Sequence, residues 1–260
     1  MIPFFKYHGT GNDFILLDNR DNRFDGLDAT TIKHWCDRHR GIGADGLMLL
    51  NTSDAYDFLM VYYNADGNES TMCGNGGRCI VRFAEDLGIH RDKYQFTAID
   101  GLHEAARLSD GTIRLKLNAS DAPKLFNQDW IIHTGSPHLV CLVDDVDSID
   151  VKKSGAAIRY SESFAQAGIN VNFVQVINAH QLKVRTYERG VEDETLSCGT
   201  GVTASALCFR AFEPGPQHIK VDTPGGSLFV DFIREADGGF SDVWLTGPAT
   251  FVFRGEMDKR

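Results

Sequence analysis

The sequence predicts a strand-rich α+β fold, α/β in the broad sense, of two similar domains, each a sheet wrapped around a central helix, with the active site in the cleft between them. Three observations carry this prediction. Short segments of alternating apolar and polar residues, bounded by Gly, Asn, Asp and Pro, outnumber segments with helical periodicity. A cysteine directly before Gly-x-Gly occurs twice, in TMCGNGGRCIV (Thr71–Val81) and LSCGTGVTASA (Leu196–Ala206), and each time opens into an apolar, helix-like run. The parts also keep one order in both halves. VYYNADG leads to the first cysteine turn and VRTYERG to the second, each as a strand followed by a polar turn. A division near Asn118 to Ala122 gives two domains that face each other with the two cysteines at the join.

In the first half, IPFFKYHG and DFILLDN read as strands around the glycine turn HGTGND. DATTIKHWCDRHR reads as a helix, with Asp28 as N-cap and Gly41 as its stop. GIGADGLMLL is a glycine loop running into a strand, and YDFLMVYYN is a strand that turns at ADGN. In GRCIVRFAEDLG the residues Ile80, Val81, Phe83, Ala84 and Leu87 share one helical face, and Gly88 ends it. YQFTAI, LHEAARL and TIRLKLN are strands separated by Asp-Gly turns. In the second half WIIHTG, HLVCLVDD, INVNFVQVI and QLKVRTYERG read as strands, and VTASALCFRAF as a helix stopped by EPGP. HIKVDTPGGSLFVDFI is a hairpin, and VWLTGPATFVFRG closes the chain as one or two strands.

A length of 260 residues suits one large domain or two ordinary ones. The net charge of −10 argues against general attraction to nucleic acid, so the expected partner is a small molecule. No apolar run approaches the ~18 residues a membrane span needs, and the first residues do not read as a signal peptide. The expected location is the cytoplasm, without membrane attachment. The cysteines, at 36, 73, 79, 141, 198 and 208, are then expected as reduced thiols. Their spacing fits no zinc or Cys-x-x-Cys motif, so no metal is expected. No motif of a usual cofactor type calls for a cofactor either.

A helix N-terminus lowers a thiol pKa, and its first N–H groups point at whatever precedes it. The glycines at 74, 76, 199 and 201 allow the backbone close to a ligand. Each cysteine turn therefore offers a poised thiol and a cradle for a carboxylate. Two facing turns place one thiol on each side of a bound carbon. One thiolate removes a proton and the opposite thiol returns one, which inverts the stereocentre. Cys79, Cys208, Cys36 and Cys141 read as core residues.

These motifs together resemble the diaminopimelate epimerase family. KYHGTGNDF, RHRGIGADG, YNADG, CGNGGRC, GSPH, NVNF, YERG with ETLSCGTG, and GPA follow the family's order across essentially the whole chain. The resemblance implies cofactor-independent interconversion of LL- and meso-2,6-diaminoheptanedioate in lysine and peptidoglycan precursor synthesis, by a cytoplasmic homodimer. It also implies that the last strand returns to the first domain, giving domains of 1–117 plus about 250–260, and 118–249. Residue by residue it implies Cys73 and Cys198 as catalytic. Gly74, Asn75, Gly199 and Thr200 form the carboxylate cradle, and Asn12, Asn64, Asn170, Glu188 and Arg189 bind substrate. His138 and Glu188 tune the thiols. Gly46 and Ser136 depart from the family's usual glutamine and asparagine, and both shorten the side chain, leaving space that water can fill.

The alternatives are a proline or hydroxyproline racemase-type isomerase, or a dehydratase, of the same fold. These have no use for Asn64, Asn170 and Arg189. A hydrolase using one cysteine with His138 leaves the second Cys-Gly-x-Gly unexplained. A redox or metal-binding protein predicts a disulfide or bound metal.

Overall fold

The computed structural model describes residues 1–258. Among them the backbone forms two compact units, Met1–Leu115 together with the closing segment from Pro248, and Lys116–Gly247.

The first unit carries strands β1 (Ile2–Gly9), β2 (Asn12–Asp18), β3 (Gly46–Asn51), β4 (Phe58–Asn64), β5 (Tyr94–Ala98), β6 (Gly101–Arg107) and β7 (Ile113–Lys116). Its helices are α1 (Ala29–Cys36) and α2 (Gly74–Asp86). The second carries β8 (Lys124–Phe126), β9 (Asp129–His133), β10 (Pro137–Leu142), β11 (Asn170–Asn178), β12 (Gln181–Glu188), β13 (Asp193–Thr195), β14 (Gly215–Thr223), β15 (Gly226–Arg234) and β16 (Phe240–Gly247). It also holds α3 (Val151–Arg159) and α4 (Gly199–Phe209). The last strand, β17 (Thr250–Met257), pairs antiparallel with β1.

Both sheets follow one pairing rule. Along β17-β1-β2-β3-β4-β5-β6-β7 the pairs run antiparallel, antiparallel, parallel, antiparallel, parallel, antiparallel, antiparallel. Along β8-β9-β10-β11-β12-β14-β15-β16 the same series recurs. A parallel pair needs a long crossover, and each is bridged by a helix: α1 and α2 in the first unit, α3 and α4 in the second. The fold is therefore a strand-rich α+β repeat.

In each unit the second crossover helix is the enclosed one. Ten residues of α2, from Gly74 to Ala84, are buried, and it touches β1, β2, β3 and β6. In α4 nine residues are buried, on every side, with β9–β12 and β14–β16 around it. A helix buried all round needs no polar face. Beyond its first turn the hydroxyls are satisfied within the helix, Thr203 Oγ1 donating to Gly199 O at 2.9 Å and Ser205 Oγ to Gly201 O at 2.8 Å. The outer helices cover the other sheet faces. Ile32, Trp35 and Cys36 of α1 pack on Ile15, Leu17, Leu47 and Leu49, and Val151 of α3 packs with Val171 and Phe173.

One local reading changes. The first helix stops at Cys36 rather than running to Arg40. Asp37 is extended, and its carboxylate accepts from the N–H groups of His39 and Arg40, both at 2.8 Å, which draws the chain out of the helix. Helix α3 adds to the helices expected from the sequence. It is set by the N-cap Asp150, whose side chain accepts from Lys153 N, and by Gly155, where a Cβ would overlap Tyr187. Among the described residues no helix is long and apolar enough to cross a membrane.

Candidate functional site

Each cysteine turn sits at the N-cap of its enclosed helix. Cys73 caps α2 with φ −94° and ψ 135°, and Cys198 caps α4 with φ −111° and ψ 109°. The helical ladders begin with Gly77 N donating to Cys73 O and Val202 N to Cys198 O. The N–H groups of the first turn thus lie outside the ladder, with the positive end of the helix behind them.

In the first unit Cys73 Sγ lies 3.7 Å from Asn12 Oδ1, and Asn75 Nδ2 donates to the same oxygen at 3.2 Å. Asn12 is held from behind. Its Nδ2 donates to Asp45 Oδ2 at 2.7 Å, which leaves Oδ1 toward the sulfur. Asp45 is in turn paired with Arg38 at 2.7 Å, and Arg38 with Asp13 at 2.6 Å, where the half-buried side also receives Lys6 at 2.6 Å. Burial raises the Asp13 carboxyl, but hydrogen bonds from Arg38 and Lys6 outweigh it and bring it down to about 2.

Beneath the turn lies Arg78, wholly buried. Its guanidinium donates to Pro248 O, Gly74 O, Thr10 Oγ1 and Asn75 Oδ1 at 3.3, 3.1, 3.4 and 2.9 Å. Burial lowers its pKa to about 10, against the pull of Cys79 and Cys73, so it stays a cation. Its bond to Asn75 Oδ1 fixes which end of that amide faces Asn12. Asn64 lies at the exposed end of β4, opposite Gly46, with backbone bonds across its turn to Asn68 and Gly67.

In the second unit, Cys198 Sγ lies 3.5 Å from Thr200 Oγ1, and Thr200 Oγ1 lies 2.9 Å from His138 Nε2. Thr134 Oγ1 holds Thr200 O at 2.9 Å. Burial lowers the pKa of His138 to about 3, and repulsion from His133 and Arg189 adds to it, so the ring is neutral at neutral pH. A second group adjoins it, because Asn170 stands opposite His138 in the parallel pair of β10 and β11. Asn170 Nδ2 donates to Ser136 Oγ at 2.9 Å, and its Oδ1 accepts from Arg189 N at 2.8 Å. The Arg189 guanidinium meets only neutral oxygens among the described residues, Ala167 O at 3.0 Å and Ser136 Oγ at 3.4 Å. Glu188 Oε2 accepts from Thr195 Oγ1 at 2.9 Å.

The structure therefore gathers Cys73, Gly74, Asn75 and Asn12 in one unit, and Cys198, Gly199, Thr200, His138, Asn170, Glu188 and Arg189 in the other. Asn64 pairs with Gly46, and the neighbouring Ala65 N donates to Asp45 O at 3.1 Å. Two of the turn glycines are also packed: a Cβ on Gly76 would overlap the end of the Met48 side chain, and one on Gly201 would overlap the Asn172 amide. The space expected at Gly46 is also filled: a Cβ there would lie 2.6 Å from the Tyr62 ring. Asp45, Arg78, Thr134 and Asn172 were not foreseen. Asp45 and Asn172 stand inside the quoted motifs GIGADG and NVNF, but only the fold shows which way they face.

Solved structures share this fold at low identity. A phenazine biosynthesis protein of the PhzF family from Bacillus anthracis superposes with a TM-score of 0.75 over 98% of both chains at 14% identity. A probable proline racemase from Agrobacterium radiobacter K84 gives 0.70 over 100% of this chain and 94% of its own at 16% identity. The chain thus has the two-fold-repeated architecture of these proteins. The family model of diaminopimelate epimerase matches residues 4–119 and 130–252. Diaminopimelate epimerase of Flavobacterium psychrophilum is 49% identical over 96% of this chain and 97% of its own, and that of Chlorobaculum tepidum 43% identical over 96% and 98%. The chain belongs to the diaminopimelate epimerase family, a family of isomerases.

The six cysteines are all present as thiols, and their settings differ. Burial pushes Cys36 and Cys79 up to about 12 and raises Cys141 and Cys208 further. In the folded protein at mildly alkaline pH, an aromatic disulfide reagent should react with Cys73 first and leave these four unmodified until the chain is unfolded. Labelling of Cys79 as fast as Cys73, read by peptide mass spectrometry, contradicts this.

Proposed function

We propose that the protein interconverts LL- and meso-2,6-diaminoheptanedioate by a two-thiol, cofactor-independent mechanism, with Cys73 and Cys198 as the acid–base pair. The observation that carries this reading is a cysteine at the N-cap of the enclosed helix in each of two repeated units. Kinship with full-length relatives named for this activity supports it.

The α-proton of an amino acid is weakly acidic, and its removal sends charge into the adjoining carboxylate. First-turn N–H groups at Gly74, Asn75, Gly199 and Thr200 hold that carboxylate and strengthen their bonds as charge develops. One thiolate takes the proton on one face, and the other thiol returns a proton on the opposite face, so the carbon inverts. The cationic guanidinium of Arg78, behind the first turn, favours the negative charge that the step creates.

Asn170, Arg189, Glu188, Asn12 and Asn64 bind the rest of the substrate. Arg189 takes the distal carboxylate, which a ring substrate such as proline lacks. Ser136 aligns Asn170 and Arg189 from one side. The racemase and dehydratase readings find no use for this cation. The reaction belongs to lysine and peptidoglycan precursor synthesis in the cytoplasm. The protein acts as a homodimer through β17, where Phe251, Val252 and Phe253 stand 45%, 49% and 44% exposed.

Cys73→Ala and Cys198→Ala should each reduce epimerisation by about 10²–10⁴-fold with the fold retained, because each removes one proton carrier. Near-normal turnover by either variant sinks the two-thiol reading. Arg189→Ala should raise KM and lower kcat, with kcat/KM down roughly ten- to hundredfold, the loss of a charged hydrogen-bond pair. An unchanged value for diaminopimelate points instead to a substrate with no distal carboxylate. Sedimentation should show a dimer that Val252→Lys converts to a monomer, and a wild-type monomer at micromolar concentration contradicts the β17 interface.

A further inference from the structure

Asn172 is wholly buried on β11, two residues past Asn170 and on the same face. It has no part in the proposed proton transfer. All of its polar atoms are engaged. Nδ2 lies 3.0 Å from Leu139 O and 3.1 Å from His138 Nδ1, and Oδ1 accepts from Thr186 Oγ1 at 3.0 Å.

This arrangement has one consistent set of hydrogens. A backbone carbonyl only accepts, so the end of the amide facing Leu139 O is the NH2 group. The same NH2 faces His138 Nδ1, which must accept. The neutral ring therefore carries its proton on Nε2 and donates it to Thr200 Oγ1 at 2.9 Å. The Thr200 hydroxyl keeps its own hydrogen for Cys198 Sγ at 3.5 Å. The opposite tautomer reverses the polarity: an Nε2 acceptor takes the Thr200 hydrogen and turns the oxygen lone pairs toward the sulfur. The chain also makes room for this contact, since a Cβ on Gly201 would overlap Asn172 Oδ1.

We propose that Asn172 is a positioning residue for Cys198: its amide locks His138 as the Nε2–H tautomer, and the ring thereby aims the Thr200 hydroxyl proton at the sulfur. This rests on the reading of Cys198 as an acid–base thiol. A hydroxyl donor stabilises the thiolate over the thiol. His138, kept neutral by burial, acts through its tautomer and does not itself take up the proton.

The test is nitrogen NMR of the full-length protein with labelled histidine, beside iodoacetamide labelling of Cys198 at fixed pH. The wild type should show His138 protonated at Nε2 and bare at Nδ1. A proton on Nδ1 overturns the proposal, whatever the variants do. Asn172→Asp offers Nδ1 an acceptor, so the ring proton should appear on Nδ1 and labelling of Cys198 should slow roughly tenfold or more. Thr200→Val should slow labelling to a similar degree, and Thr200→Ser should restore it. Labelling unchanged in Thr200→Val, or a tautomer unchanged in a folded Asn172→Asp, overturns the proposal. Neither readout needs turnover. Absent epimerase activity would therefore count against the proposed function while leaving the tautomer result intact.

Discussion

The structure depends on one constraint, the enclosure of a helix by the sheet that precedes and follows it. In α4 the buried residues lie on every side, and in α2 they extend from Gly74 through Ala84. A helix so enclosed can act on a ligand only through its end. The end that carries unladdered N–H groups and the positive pole is the first turn. Placing a cysteine at the N-cap, where the backbone is extended, sets a thiol beside those N–H groups without any further element.

The two units share this frame and furnish it differently. Behind Cys73 the support is charged: the buried cation Arg78 orients Asn75, and the Lys6–Asp13–Arg38–Asp45 chain orients Asn12. Behind Cys198 the support is neutral, a buried histidine and an asparagine that leave one hydroxyl aimed at the sulfur. Buried polar groups are tolerable only when all their hydrogen-bonding capacity is used. Both networks meet that condition at the atoms that point toward the thiols. Equal backbones with unequal surroundings suit the acid and base roles proposed for the two thiols.

Much of this was legible in the sequence. Gly-x-Gly after a cysteine marks a helix start, and the alternation of apolar residues marks the strands around it. Motif order placed Cys73, Cys198 and their neighbours. Local signals misled where tertiary contacts decide. Asp37 ends α1 through two side-chain bonds that no periodicity reveals, and Gly155 is a glycine only because Tyr187 lies against α3. No pattern in the sequence shows that Gly76 lies against Met48 and Gly201 against Asn172. Asn172 stood in the quoted motif NVNF, yet a period of two shows only that it shares a face with Asn170. That this face meets His138 follows from the pairing of β10 with β11.

The central claim, two thiols acting on opposite faces of one carbon, is tested most directly by isotope transfer. A thiol carries one exchangeable proton, and the acceptor thiolate retains the proton it removes. With LL-diaminopimelate in deuterated water, the account predicts that early meso product carries deuterium at the inverted carbon while recovered substrate carries almost none, with the mirror result from the meso side. Deuterium entering unreacted substrate as fast as product forms, or product retaining the original proton, would contradict it.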